Sequence, residues 1–445
     1  MPTRDKKATK RRASRSVPRR SEPVVVTGMG IVSSIGIGIE AFWKNALAGR
    51  SGVTAIPPFE GLSMDGYRSQ VAGQVLDFDP ARLPDGIHPE RLDRYAQLAL
   101  AASEEALEDA GLTMERENAH RVGVIMGAGM GGMLIGEEEF AKVYKALRPN
   151  RVHPNFIPMI TLNSASGIIA IAFGAKGVNQ TISTACSSSA HAIGQALTAI
   201  RSGQADVVIA GGADASLTPL TFAGFCSLRA LSTAFNHDPA RASRPFDRQR
   251  DGFVMGEGAG VLILESLSHA QRRRARVYAE VAGYAATSEA YHMVVPKEDG
   301  SEIAVTMRLA LRDAGIATTQ VHYINAHATA TPIGDPVEVT AIRRVFKGRA
   351  DRILVNATKS MVGHTLGAAG AIGGIACALS IQTGVVHPTV NYEDPDPACA
   401  LGGISPLPQE GPLDVALLNA FGFGSNNAVV VFKKAPPVAA RPRKG

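Results

Sequence analysis

Apolar residues along this chain fall into short, nearly unbroken runs separated by Gly, Pro and polar turns, and ten of the runs read as strands. They cover 24–27, 122–126, 180–184, 207–210, 260–265, 277–283, 322–326, 353–357, 415–419 and 428–432. Several are apolar at nearly every position, which suits a sheet buried on both faces. Between them the period turns helical: Tyr95, Leu98, Ala99, Ala102 and Ala106 predict a helix over 94–110, and Ile303, Met307, Ala310 and Leu311 predict one over 303–314. Strands interleaved with helices place the chain in the α/β class.

The two helices end alike. One closes Ala106-Leu-Glu-Asp-Ala-Gly-Leu112, the other Ala310-Leu-Arg-Asp-Ala-Gly-Ile316, with Gly111 and Gly315 as C-terminal stops, and each leads into a strand. A strand ending at Cys186 precedes a helix, as a strand ending near Lys359 precedes a small-residue helix. This pattern predicts an internal duplication: two α/β halves divided near residue 275, with strand ends and loops meeting at a shared interface.

A chain of 445 residues, 45% apolar, exceeds the usual size of one core, in keeping with two halves. Its cysteines, at 186, 226, 377 and 399, show no metal-ligand or disulfide spacing, so neither a bound metal nor an oxidising compartment is indicated, and no cofactor motif is present. The net charge of +6 is misleading, because residues 1–20 hold nine Lys/Arg against one acid, Asp5, leaving the rest of the chain at −2. A nucleic-acid or membrane surface on the folded body is therefore not expected. The basic segment lacks the apolar core of a secretory signal and reads as a disordered tail, an organelle transit peptide or a nucleic-acid arm. No apolar run reaches the roughly 18 residues of a membrane span. The chain divides into a tail at 1–22, halves at 23–275 and 276–434, and a Pro/basic tail at 435–445.

Candidate chemistry centres on Thr181-Ile-Ser-Thr-Ala-Cys186-Ser-Ser-Ser-Ala-His-Ala-Ile-Gly194, where a β-branched stretch ends at a cysteine and a helix-compatible stretch begins. A thiol there faces the positive end of a helix, which favours thiolate, and nearby backbone N–H groups can hold an oxyanion. Alone, the segment suits a nucleophile and a buried small side chain equally. Three further polar segments follow strand candidates: Asn325-Ala-His327-Ala-Thr329-Ala-Thr331, Asn356-Ala-Thr-Lys359-Ser-Met-Val-Gly-His364, and Asn419-Ala-Phe421-Gly-Phe423-Gly-Ser-Asn426-Asn427. One histidine at a strand end is commonly structural, but two beside an elbow cysteine favour catalysis.

With Ala210-Gly-Gly-Ala-Asp214, Arg229-Ala-Leu-Ser232, Ala290-Tyr-His292 and the run 242–260, these segments resemble the elongating Cys-His-His class of β-ketoacyl-acyl-carrier-protein synthases, over residues 23–433. The resemblance implies a thiolase-like fold, a layered α-β-α-β-α sandwich of two duplicated halves. It implies an acyltransferase of fatty-acid elongation: Cys186 takes an acyl group from a carrier protein, malonyl thioester loses CO₂, and its enolate attacks the acyl thioester. It makes His327 and His364 neutral donors to the enolate, and the N–H groups of Cys186 and Phe423 an oxyanion hole. Lys359 joins a buried charge network with Asp335 and Glu338, or else acts directly in catalysis. Thr329 and Thr331 hold the phosphopantetheine arm, the Phe423 ring acts as a gate, Met130 and Phe225 shape the acyl pocket, and Arg229 contacts the acyl carrier protein. A homodimer follows from the same resemblance, while the scattered cysteines suit a reducing, cytoplasmic compartment, or an organelle if the tail is a transit peptide.

Two positions depart from the family pattern. Ala328 stands where bacterial relatives have Gly, and Gly373 where many carry Glu nine residues after the second His. A discrete ketosynthase of a polyketide or polyene pathway remains an alternative, and a non-catalytic partner subunit is disfavoured because Cys186 and both histidines are retained. A thiolase would need a second cysteine within 421–427, where there is none.

Overall fold

The computed structural model describes residues 22–59 and 62–436. The expected tails therefore lie outside the described residues, apart from Glu22 at one end and residues 435–436 at the other. All ten expected strands form: β1 (Val24–Ser33), β2 (Val122–Gly127), β3 (Asn179–Ile182), β4 (Val207–Asp214), β5 (Gly258–Ser266), β6 (Ala279–Ser288), β7 (Tyr323–Asn325), β8 (Leu354–Asn356), β9 (Val415–Gly422) and β10 (Asn426–Lys433). The first half runs β1-β5-β4-β2-β3 and the second β6-β10-β9-β7-β8, with the same sequence of two antiparallel and two parallel pairings. The duplication read from two helix ends thus extends to all ten of these strands. One feature was not foreseen: β1 and β6 also pair antiparallel, Val24 with Val281 to Val26 with Ala279, joining the halves into one continuous ladder.

Helix α1 (Arg94–Ala110) covers the outer face of the first half. Helices α2 (Ser188–Arg201) and α5 (Ala369–Thr383) pack on each other between the halves, and α3 (Ser301–Ala314) with α4 (Gly334–Phe346) covers the outer face of the second half. Three apolar clusters match these layers, a central one around Ile193, Ile372 and Phe432 and two outer ones around Leu98 and Ile342. Burying each such side chain contributes about 1.5–3 kcal/mol. The stretch Leu366–Thr383 does reach the length and apolarity of a membrane span, with mean hydropathy 1.4, contrary to the sequence expectation. It is 83% buried and serves as core, which is why it can be apolar all round.

The shared sequence Asp-Ala-Gly has a shared job. Both first strands carry a register irregularity, at Gly28 and at Gly283. A Cβ on Gly28 would meet the Ala106 carbonyl at 2.2 Å, and one on Gly283 the Ala310 carbonyl at 2.7 Å, so helix and strand backbones are nearly in contact. Asp109 accepts the Met29 N–H at 2.9 Å and Asp313 the Tyr284 N–H at 3.0 Å, satisfying a donor next to each irregularity. Gly111 and Gly315 then end the helices at φ 60° and 66°.

At the end of β5, Glu265 is fully buried among Arg273, Thr27 and His269. His269 bridges it to Glu117 at 2.8 Å. The hydrogen bond to Glu265 raises the His269 pKa, with burial opposing and Glu117 assisting. A raised folded-state value stabilises the protein fully below the unfolded pKa of about 6.5, and that contribution fades as pH rises through the folded value. His269→Gln is accordingly expected to lower Tm most below pH of about 6.5 and progressively less above it. Thermal melts of both proteins across pH 5–9 read the difference directly, and a gap that widens with pH would contradict the assignment.

Candidate active site

The chain leaves β3 at Ile182, takes φ 51° at Ala185, and enters α2 at Ser188, so Cys186 sits on a sharp strained turn. Hydroxyls staple it: Ser188 Oγ accepts the Thr184 N–H at 2.9 Å and donates to the Ala185 carbonyl at 2.6 Å, and Ser187 Oγ donates to the Thr184 carbonyl at 2.8 Å. Ser189 Oγ accepts the Ala371 N–H at 2.8 Å, fastening the elbow helix to α5. Gly422, at the end of β9, approaches so closely that a Cβ there would meet the Thr184 carbonyl at 2.3 Å.

That approach brings the Phe423 N–H to the Cys186 sulfur, beside the N–H of Cys186 itself. The two N–H groups expected to form an oxyanion hole thus both lie at the sulfur. The standing thiolate expected from the helix end is not formed: burial pushes the Cys186 thiol up to about 11, outweighing the Lys359 charge and the two N–H groups that favour the anion. Gly422→Ala is expected to push the Phe423 N–H away and slow catalysis at least about tenfold while leaving the protein folded. Steady-state kinetics with a circular dichroism control check this.

His327 follows β7, and His364 follows the turn after β8. Their rings stand 5.6 Å apart, nearly perpendicular at 88°, with Phe421 5.4 Å from His327 and Phe253 5.3 Å from His364. Burial, then the charge of Lys359, holds both pKa values well below the ordinary imidazole value, so both rings are neutral. Nδ1 of each is buried without a partner among the described residues. A bare ring nitrogen tolerates this better than an N–H, which assigns the proton of both rings to Nε2.

The loop carrying His327 is strained, with Ala328 at φ 30° and Ala330 at φ 66°. Glycine at 328 would relieve that, which gives physical sense to the Gly of relatives. Here two buried acids of α4 hold the loop: Glu338 accepts the N–H groups of His327 and Ala328 at 2.9 and 2.8 Å, and Asp335 those of Ala330 and Phe246 at 3.1 and 2.9 Å. Burial raises both pKa values, that of Asp335 to about 7. Lys359 feels both charges but forms no ion pair with either, so the expected network is one of field rather than contact, because the carboxylates are spent on backbone donors. Burial lowers the Lys359 pKa to about 8.

A cavity of about 360 Å³ joins the parts. Cys186, His327, His364, Phe423, Thr329, Thr331, Phe225, Arg229 and Glu338 line it, as the sequence reading required of a single site. Met130 does not line it. Its side chain packs against an adjoining apolar cluster that contains Leu366 and Phe253, and Asp214 accepts the Met130 N–H at 2.9 Å. Asp214 was overlooked as a functional residue: it is fully buried, also accepts the Gly129 and Gly367 N–H groups at 2.8 and 2.6 Å, and is pushed up to about 6 by burial. The signal for it was an acid closing an apolar strand.

At Gly373 a side chain would have to displace its neighbours. A Cβ would meet Asn325 Oδ1 at 2.5 Å and Leu418 Cδ1 at 2.7 Å. Asn325 Nδ2 donates instead to Asn356 Oδ1 at 3.0 Å and Thr358 Oγ1 at 2.8 Å, while Tyr323 donates to Asn356 at 2.7 Å, so the Asn325 amide and the Tyr323 hydroxyl are paired without a carboxylate. Gly373→Glu is expected to cost at least about 2 kcal/mol of stability through overpacking and an unpaired buried charge, read as a fall in the urea midpoint.

Models of the beta-ketoacyl synthase N-terminal and C-terminal domains match residues 21–270 and 278–393. The chain belongs to the beta-ketoacyl synthase family. Within that family it is 42% identical over 411 residues to a 3-oxoacyl-[acyl-carrier-protein] synthase 2 of Synechocystis sp., covering 92% of this chain and 98% of the relative. Among solved beta-ketoacyl synthase-like structures, it superposes with a TM-score of 0.87 on the ishigamide ketosynthase/chain length factor, at 34% identity over 94% of this chain and 100% of that one. The same score, at 36% identity and the same coverages, relates it to AntDE:AntF, a type II polyketide acyl-carrier protein in complex with its ketosynthase bound to the hexaketide. The layered thiolase-like fold is thereby shared with known ketosynthases.

Proposed function

We propose that this protein is a 3-oxoacyl-[acyl-carrier-protein] synthase of fatty-acid elongation, with acyl and malonyl groups delivered on a carrier protein. The observation that carries the reading is one cavity holding a cysteine served by two backbone N–H groups together with two imidazoles held neutral. In the first half-reaction Cys186 sulfur bonds to the acyl carbonyl, the carrier thiolate leaves, and the proton lost by Cys186 passes to it. In the second, malonyl thioester releases CO₂ and its electron pair forms an enolate, whose oxygen accepts from His327 and His364 Nε2. The enolate carbon bonds to the acyl carbonyl, the C–S bond to Cys186 breaks, and the Cys186 thiolate takes up from solvent the one proton that the overall reaction consumes.

Thr329 and Thr331, with hydroxyls 3.2 Å apart on the cavity wall, fit the arm of the carrier. Phe423 fits a gate: Gly424 and Ser425 take φ 79° and 64°, and this turn is tied to the Met293 carbonyl at 2.7 Å and the His292 carbonyl at 3.0 Å, bonds that a swing would exchange. A homodimer is supported by the open edge at β3, flanked by Ile157 and Ile171 of Phe156–Ile160 and Ser164–Phe173, 64% and 76% exposed. A polyketide ketosynthase is the second reading, favoured by the likeness to the type II polyketide ketosynthase of AntDE:AntF. Condensation of malonyl-carrier protein with primers of graded length, followed by mass spectrometry of product and of acylated Cys186, tests both. One round of extension on saturated primers supports elongation, repeated rounds retaining keto groups support the second reading, and no acylated Cys186 defeats either.

A further inference from the structure

Lys359 has no anchor at its charged end. Its ammonium makes no ion pair among the described residues, and Glu338 and Asp335 of α4 act on it only through space. The place of that charge relative to Cys186, His327 and His364 is therefore set by the backbone from which the side chain springs. That backbone is clamped. Ser243 Oγ donates to the Lys359 carbonyl at 2.7 Å, and the segment 387–390, which follows α5, holds the residues on either side. The His387 carbonyl accepts Asn356 Nδ2 at 2.9 Å, Thr389 Oγ1 accepts the Ala357 N–H at 3.1 Å, and Ser360 Oγ accepts the Val390 N–H at 3.1 Å.

Thr358, directly before Lys359, stands at the centre of this clamp. Its hydroxyl lies 3.0 Å from His387 Nε2 and 2.8 Å from Asn325 Nδ2, and all three side chains are buried. The direction of each bond is fixed. The Pro388 carbonyl, 2.9 Å from His387 Nδ1, can only accept, so Nδ1 carries the ring proton. Burial lowers the His387 pKa to about 4, which leaves the ring neutral and Nε2 bare. Nε2 takes the Thr358 hydroxyl proton, and a lone pair of that oxygen turns to the Asn325 amide. Because Asn325 closes the strand that leads to His327, one hydroxyl joins the segment of a catalytic histidine to the short helix Lys359–Val362.

We infer that Thr358 and His387 are positioning residues: the His387 ring fixes the Thr358 hydroxyl, and that hydroxyl, through the Lys359 backbone, directs the lysine charge toward Cys186 and the two histidines. The inference rests on the condensing function proposed above, but its claim about the charge needs no substrate to test. Burial is the largest influence on all three groups, raising the thiol and lowering the imidazoles. The Lys359 charge comes next on each and lowers all three pKa values. A displaced ammonium would weaken that second influence at all three together.

The test alkylates Cys186 in the full chain with iodoacetamide, which is neutral, and with iodoacetate, an anion of nearly the same size, and reads the modified residue by mass spectrometry. Burial lowers the Lys359 pKa to about 8, so at about pH 7 the lysine is charged and favours iodoacetate. Thr358→Val, which exchanges the hydroxyl for a methyl, is expected to lower the iodoacetate-to-iodoacetamide rate ratio about three- to tenfold, toward that of Lys359→Met. The kcat of condensation should fall with it while KM for the acyl donor holds. A packing role alone would change both alkylation rates alike and leave their ratio. His387→Leu should reproduce the effect, and Thr358→Ser and His387→Gln, which keep a hydroxyl and an acceptor, should recover the ratio. The unmodified protein gives a reading that depends on no variant folding. Trp43, the only tryptophan, lies edge-on 6.2 Å from the His387 ring, so protonation of that ring would quench its emission. Flat emission between about pH 5 and 8 is expected, and a quenching step there would make Nε2 a donor and overturn the arrangement. An unchanged alkylation ratio in Thr358→Val or His387→Leu overturns it as well. Failure of the unmodified protein to condense any acyl donor would count against the proposed function instead and leave the ratios standing.

Discussion

Cys186→Ala is expected to abolish condensation, by at least about 10⁴-fold, while Cys186→Gln retains release of CO₂ from malonyl-carrier protein. The first loss follows from the covalent step, since no other thiol lines the cavity: of the other cysteines, Cys226 borders a smaller pocket and Cys377 and Cys399 are buried in the core. The second outcome follows from the separation of duties in the site. The Gln carbonyl can occupy the position of an acyl carbonyl and accept from the N–H groups of Cys186 and Phe423, keeping the cavity as it is when acylated. The enolate donors on His327 and His364 belong to different segments and are untouched. Labelled CO₂ release and product analysis separate the two half-reactions, and full condensing activity in Cys186→Ala would remove the assignment.

The resting thiol sharpens this expectation. With burial holding Cys186 near 11, the nucleophile is generated during acyl transfer rather than stored as an anion, and the electrostatic help is the Lys359 charge with the two N–H groups. Lys359 itself titrates near 8, because burial works against its charge while the acids of α4 support it. Those acids act at one remove. Glu338 and Asp335 fix the strained Ala328–Ala330 backbone and through it the direction of His327.

Much of this was legible in the sequence because strands buried on both faces, antiparallel as well as parallel, read as continuous apolar runs. The ends were less legible. The run 180–184 leaves the ladder at Ile182 because the elbow needs φ 51° at Ala185, and 322–326 contracts to Tyr323–Asn325 where the chain turns toward His327. Pairing partners were not readable at all: nothing in Val24–Val26 announces that it bonds both Leu264–Ser266 and Ala279–Val281. The nucleophile and histidines were readable because each is a reactive residue type closing a strand. Asp214 and the Asn325–Asn356–Thr358 amide network were not, since their role is to satisfy backbone and side-chain groups brought together only by folding. The charge network of Lys359 with Glu338 and Asp335 was legible as residue types, but its action without an ion pair was not, because sequence cannot show that the acids' oxygens are already taken.

His327→Ala and His364→Ala are each expected to slow decarboxylation by about 10²–10³-fold, the usual cost of removing one donor to a developing oxyanion. Acylation of Cys186 should fall much less, because its oxyanion rests on backbone groups rather than on the rings. Asn or Gln at either position supplies a neutral N–H and should recover part of the loss, which a merely space-filling role would not explain. The pH dependence gives an independent reading. Burial and the Lys359 charge depress both ring pKa values, so the rings are already neutral at pH of about 6.5, where free imidazole is half protonated. The rate of CO₂ release should therefore show no acid limb near that value. The same depression links to stability with a definite sign: the unfolded chain takes up protons first, so the contribution of these two rings to folding is present above pH of about 6.5 and declines as pH falls below it. An inflection in the decarboxylation rate near 6.5 that disappears in His327→Gln would show that ring to be protonated in the resting site and would replace the neutral donor with a cationic one.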